Sequence, residues 1–227
     1  MVTMAKKING LQPTIRQDGF SLIELIIAMT ITLTIVALAF SLLAQSINQK
    51  TRDETQVSAL SDTNQSLSRM SLEIINAGFG LTSNGLVAGD CTEDKIRVRA
   101  NLNSLMKQAT SGTVTDSGED LIFQLVDNPS VGSALVRTDV VTGGSSIVAT
   151  KIDNRDGDGD GDGDGLTFNY LDAAGAEVAA QNAVQVRMIV RVNLPQVGSP
   201  GAPGYQPEIT KELSSSVVLR NARLMAY

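Results

Sequence analysis

Five aspartates alternate with glycine in one run, Asp156-Gly157-Asp158-Gly159-Asp160-Gly161-Asp162-Gly163-Asp164-Gly165. Carboxylates two residues apart repel one another, and the intervening glycines give the backbone no stiffness. A hard cation relieves the repulsion. Ca²⁺ takes roughly six to eight oxygen ligands, and Asp at the first, third and fifth positions followed by Gly is how an EF-type loop opens. Frames starting at Asp156, Asp158 and Asp160 fit that opening, but none has the Glu that closes such a loop. The frame from Asp160 places Leu171 there, and the frame from Asp158 places Asn169. The expected cage is therefore of another kind, with Asp153, Asp156, Asp158, Asp160, Asp162 and Asp164 as metal ligands and Asn154 and Asp172 near enough to complete it. One or two Ca²⁺ ions fit five acids better than Mg²⁺, which prefers a tight octahedron and keeps its waters. The competing reading is a solvated acidic linker between two strands.

A second carboxylate stands alone. Between Phe20 and Ala44 the only charged side chain is Glu24, and the stretch has no Pro or Gly. About 20 apolar residues in a helix span the hydrocarbon core of a bilayer. An acid inside such a segment costs about 2.5–3.5 kcal/mol on insertion scales, so Glu24 needs a partner.

Other chemistry is excluded by what is missing. The chain has no His, which removes the usual general base and the commonest transition-metal ligand. Cys91 is the only cysteine, so there is no intrachain disulfide and no paired-cysteine zinc or redox site. Cys91 is expected either as a buried small hydrophobe or as a thiol open to another chain. No acid pair outside the Asp-Gly run suggests an active site, and no enzyme is expected. Net charge is −6, and residues 1–19 hold Lys6, Lys7, Arg16 and Asp18, so the remainder carries −8. That balance argues against a nucleic-acid partner, because phosphate binding needs a Lys/Arg surface.

The elements that must position these groups follow from periodicity. No Pro or Gly interrupts the chain between Gly19 and Gly78, which predicts one long helix over 20–78, with 20–44 as the apolar span. Val57, Leu60, Asn64, Leu67, Ser71 and Ile74 recur at helical spacing and are expected to face a sheet, with Arg52, Asp53, Glu54 and Asp62 off that face. Two helices broken around Ser46–Thr51 are the alternative. Ala28, Ala37, Ala39, Ser41 and Ala44 either let neighbouring helices approach closely or are ordinary helix filler.

Residues 79–227 read as a β-rich head. Strands are expected at Lys95–Ala100, Asp120–Val126, Ala134–Val141, Ser146–Ile152, Val184–Val192 and Thr210–Leu219, the last two antiparallel. The segment 153–165 carries the Asp-Gly loop, with Ca²⁺ ordering 153–172, and Leu194–Pro207 is a Pro/Gly loop. The fold class is α+β: a long N-terminal transmembrane and amphipathic helix packed on a mostly antiparallel sheet.

Three readings compete for residues 1–44. A secretory signal peptide has a basic start and a small-residue site at Ala37-Leu38-Ala39. An uncleaved anchor would be oriented by Lys6, Lys7 and Arg16. Both leave Glu24 unexplained. The third rests on a short basic leader ending at Gly19, then Phe20, then Glu24 as the fifth residue after the glycine, leading an uninterrupted apolar helix. That arrangement resembles the type IV prepilin class and implies a pilin-like fold. It further implies a 1–19 leader cut between Gly19 and Phe20 by a prepilin peptidase, with N-methylation of Phe20. Glu24 is then the assembly residue, neutralising the N-terminus of an adjacent subunit. Leu72–Gly80, with its Ala77-Gly78-Phe79 ending, and Ser214–Asn221, with Leu219-Arg220-Asn221, resemble stretches of PilW-type minor pilins.

The resemblance implies a minor pilin of a type IV pilus, held in the inner membrane with its head in the periplasm and later at the pilus or cell surface. Its partners would be the peptidase and other major and minor pilins, met through the N-terminal helix. The alternatives are a minor pseudopilin of a type II secretion system and a membrane-anchored calcium-binding adhesin that never polymerises.

Overall fold

The structure, a computed structural model, describes residues 19–102, 114–128, 132–155 and 163–221. It divides into two units, Met1–Ala44 and Gln45–Tyr227. One helix, α1 (Leu22–Ile74), is followed by seven strands: β1 (Lys95–Arg99), β2 (Asp120–Asn128), β3 (Gly132–Asp139), β4 (Ser145–Ala149), β5 (Leu166–Leu171), β6 (Gln185–Leu194) and β7 (Ile209–Val218). The fold is α+β, as the periodicity predicts, and pilin-like, as the resemblance implies. No break divides α1 at Ser46–Thr51.

The strands form two antiparallel sheets, ordered β1-β2-β3-β4 and β5-β6-β7. β6 is the spine of the second sheet. Its strict alternation buries Val186, Met188, Val190, Val192 and Leu194, and it pairs with β7 along its full length. On its other side β6 pairs with β5 from Gln185 to Val190. Beyond that point Ile152 takes over by bridging to Val192, while Ile152 N also donates to Ser133 O of β3 at 3.3 Å. The chain leaving β4 thus ties the two sheets together. They also meet where Phe168 N donates to Glu93 O (2.6 Å) and the Tyr170 hydroxyl reaches Thr92 O and Lys95 O.

Within 153–172, β5 contributes Leu166 and Phe168 to the core. One expectation is corrected: the helix face is turned. Its buried residues are Arg52, Ala59, Thr63, Ser66, Leu67, Met70 and Ile74, whereas Val57 is 68% exposed and Asn64 is exposed. The buried face carries the small Ala59 and two hydroxyls that meet carbonyls: Thr63 donates to Ala59 O at 2.8 Å, and Ser66 Oγ, with one proton to give, lies 2.8 Å from Asp62 O. Ser66 also bonds Val148 O of β4, Ser71 meets Ser215 of β7 at 3.1 Å, and Glu73 pairs with Arg137 of β3 at 3.0 Å. One helix face therefore holds both sheets.

α1 ends at Ile74, before the expected Gly78. The backbone tightens first, with Asn76 N and Ala77 N bonding three residues back. Gly78 (φ +78°) then donates to Arg99 O at 2.8 Å, and Gly85 (φ +80°) accepts from Arg99 N at 2.7 Å. A Cβ on Gly85 would drive into the backbone of Gly78, Ala77 and Arg99, so only glycine closes this corner.

The turned face gives opposite expectations for two substitutions. Met70→Ala empties a fully buried site and should lower stability by about 2–5 kcal/mol. Val57→Ala should stay within about 0.5 kcal/mol. Denaturant titration of the detergent-solubilised chain reads both, and a large loss at Val57 would restore the face expected from spacing.

Candidate functional site

Gly19, Phe20 and Ser21 precede the helix, and Leu25 N donates to Ser21 O at 3.1 Å to close its first turn. Phe20 is 83% exposed. Gly19 stands in open space: a Cβ there would meet no atom within 4 Å, so nothing in the described fold demands glycine at this position. Glu24 lies in the first turn, where the helix dipole favours an acid. It has no hydrogen-bond or ion-pair partner among the described residues.

From Leu22 to Ile47 the apolar side chains are exposed, including Leu22, Ile23, Leu33, Phe40 and Leu42. Among the described residues α1 is the one helix long and apolar enough to cross a membrane. Its hydroxyls are compatible with that: Thr30, Thr32 and Thr34 each donate to a carbonyl three or four residues back, at 2.8 Å. A backbone acceptor inside the same helix removes the cost of carrying them into hydrocarbon.

The six expected metal ligands divide. Asp156, Asp158, Asp160 and Asp162 lie outside the described residues. Asp153 is buried and engaged by Arg155 through both carboxylate oxygens (2.6 and 2.7 Å), and it accepts from the Thr210 hydroxyl. Asp164 pairs with Arg191 at 2.7 Å. The ends of the run are pinned: Asp164 N approaches Arg155 O at 3.4 Å, and Asn154 Oδ1 occupies the place a Gly163 side chain would take. That oxygen is buried and has no donor among the described residues. Among the described residues no group of three or more potential metal-ligating side chains gathers.

Periodicity missed the main ionic cluster, because its members come from distant segments. Arg97 of β1 forks between Asp90 and Asp120, Lys95 adds to Asp90, and Arg99 adds to Asp120, all at 2.7–2.9 Å. Hydrogen bonds from Lys95 and then Arg97 lower the Asp90 carboxyl to about 2. Burial pushes Asp120 up, but its bonds to Arg97 and Arg99 outweigh that and hold it below the usual range. Asp153 is lowered to about 2, chiefly by Arg155. Half-buried Cys91 packs on the core, and burial raises its thiol, which keeps it a neutral apolar group rather than a nucleophile.

An exposed apolar helix, with an acid in its first turn that has no partner among the described residues, precedes the sheet head, an arrangement similar to that of type IV pilin-like proteins. Residues 15–40 match the family described as the prokaryotic N-terminal methylation motif, and the chain is type IV prepilin-like. No curated protein and no solved structure matches it.

The lowered carboxyls predict acid sensitivity. Their folded pKa lies below the ordinary 3.8, so their stabilisation is present above about pH 4 and is lost as pH falls toward 2. Asp153→Asn should cost about 1–2 kcal/mol at pH 7 and converge with the unmodified chain near pH 2. Melting curves against pH check this, and parallel curves for the two proteins would contradict it.

Proposed function

We propose that the protein is a minor pilin: a non-catalytic subunit of a type IV pilus, acting in assembly initiation or at the tip. Residues 1–19 are a leader removed by prepilin peptidase, Phe20 is N-methylated, and residues 20–78 form the helix by which the subunit leaves the inner membrane and enters the filament. Residues 79–227 are the head, first periplasmic and then at the cell surface. The observation that carries this reading is Glu24, a carboxylate without a partner among the described residues, in the first turn of an exposed apolar helix and within the matched motif. In hydrocarbon such a charge requires a cation, and the amino group freed on a neighbouring subunit's Phe20 supplies it. The absence of any steric need for glycine at position 19 also supports a requirement imposed from outside the fold, by a peptidase.

The same leader and helix would serve a minor pseudopilin of a type II secretion system. The PilW-like stretches favour the pilus, and they meet in space: Asn221 Nδ2 donates to Ala77 O at 3.4 Å beside buried Leu219. Intact mass and N-terminal sequencing of the membrane-extracted protein should give a chain beginning at methylated Phe20, dependent on the peptidase. Glu24→Ala should leave processing intact and abolish incorporation into filaments. A chain starting at Met1, or cut after Ala39, would falsify the filament reading and leave the anchored adhesin.

The Asp-Gly run is proposed to bind Ca²⁺. Asp156, Asp158, Asp160 and Asp162 would supply carboxylates and Asn154 Oδ1 a neutral oxygen. Asp153 and Asp164 would join only by releasing their arginines. The support is the pinned ends of the run and the donor-free Asn154 oxygen. Millimolar Ca²⁺ at about 100 times Kd should raise Tm by about 5–10 °C relative to EDTA. An unchanged Tm returns the segment to an acidic linker.

A further inference from the structure

Two uncharged stretches, far apart in sequence, come together in the head. On α1 the first charge after Glu24 is Lys50, so the uncharged band outlasts the apolar run and includes Gln45, Ser46, Asn48 and Gln49. The loop between β6 and β7 is also free of charge from Leu194 to Pro207 in a chain otherwise rich in acid. Arg52 Nη1 donates to Pro195 O at 2.9 Å and fastens the start of the loop to the helix. Val197 and Gln206 pair through both backbone bonds (3.0 and 2.9 Å), which closes the loop into a small hairpin. Buried Gly204 lies against Gln45, where a Cβ would come within 2.6 Å of Gln45 Cα, and Gly198 lies against Asn48. Gln45, Asn48 and Arg52 follow at three and four residues and form one helix face.

Gln45 directly follows Ala44, the last residue of the apolar run. The loop is thus seated on the turn at which the chain emerges from a bilayer. Its tip, Ser199 to Pro203, is exposed and made only of small uncharged residues. Behind the tip sits half-buried Tyr205, with its hydroxyl toward Gln196 Oε1 at 3.4 Å. Tyrosine is enriched at the headgroup level of membranes, where an apolar ring and a polar tip both find partners. The peptide groups of the tip still need water or headgroup partners, which the interface supplies and the hydrocarbon does not.

We infer that the hairpin 197–206 is the membrane-facing foot of the head, lying in the headgroup layer of a phospholipid bilayer beside the emerging helix. This rests on the reading of residues 22–44 as a membrane span. The occupant is the lipid surface: the foot touches Gln45, the residue that follows the span in sequence, lacks the carboxylates that anionic lipid would repel, and carries the interfacial aromatic.

The chain has no Trp, so single-Trp variants report cleanly. Ala202→Trp places the probe at the tip, Phe40→Trp within the span, and Ala174→Trp on an exposed turn after β5. Each full-length protein is reconstituted in phosphatidylethanolamine–phosphatidylglycerol vesicles with and without lipid bearing a quencher near the headgroup. The expected result is a blue shift and strong quenching for Ala202→Trp, with neither for Ala174→Trp. Phe40→Trp should be blue-shifted and quenched by acyl-chain quencher. Solvent-like, unquenched emission from Ala202→Trp while Phe40→Trp is quenched would overturn the foot and leave the span standing. Loss of quenching at Phe40→Trp would remove the span and the foot with it. A blue shift of Ala202→Trp that appears only when another pilin subunit is added would assign the tip to a protein contact and overturn the lipid reading.

Discussion

The face of α1 between Arg52 and Ile74 is the seam on which the head depends. A helix that runs beside two separate sheets must give each something to hold, and this one does so with small and polar residues as much as with large apolar ones. Ser66 reaches β4, Glu73 reaches β3, Ser71 reaches β7, and Arg52 captures the loop between β6 and β7. Met70, Leu67 and Ile74 supply the apolar area between these contacts. Thr63 is buried there because its hydroxyl proton returns to its own helix, while the single Ser66 proton lies between Asp62 O and Val148 O.

Charge is managed differently along the same helix. In the head nearly every buried acid has an arginine or a ring of backbone amides. Asp120 holds two arginines, and Asp139 accepts from Ser117, Gly118, Val141 and Thr142. These groups are satisfied within the head itself. Glu24 is the contrast, an acid in the most apolar stretch with no partner among the described residues. In the proposed filament, pairing of Glu24 would release its free energy only on association.

Arg52 shows how a residue type can mislead. Read on a helical wheel it is a charge for the solvent side. In the fold its long aliphatic stem is covered, it is only 5% exposed, and its guanidinium serves a carbonyl 143 residues away. β5 was hidden for a related reason. It directly follows the Asp-Gly run, and the strands expected from alternation omit it although Leu166, Phe168 and Tyr170 already alternate with polar residues.

What the sequence determined by itself was local and repetitive. The apolar run, the single acid in it, the absence of helix breakers before Gly78 and the alternation of β6 each express one chain segment's preference for hydrocarbon or for a half-buried sheet, and need no distant partner to be read. Tertiary structure decided everything that depends on two segments meeting. It chose which helix face is buried, sorted seven strands into two sheets, gathered Asp90, Arg97 and Asp120 into one cluster, occupied Asp153 and Asp164 with arginines, and laid the uncharged loop against Gln45 and Asn48. Periodicity along one strand or helix carries no information on which of several compatible surfaces it will face. Close packing and the pairing of buried charge make that choice.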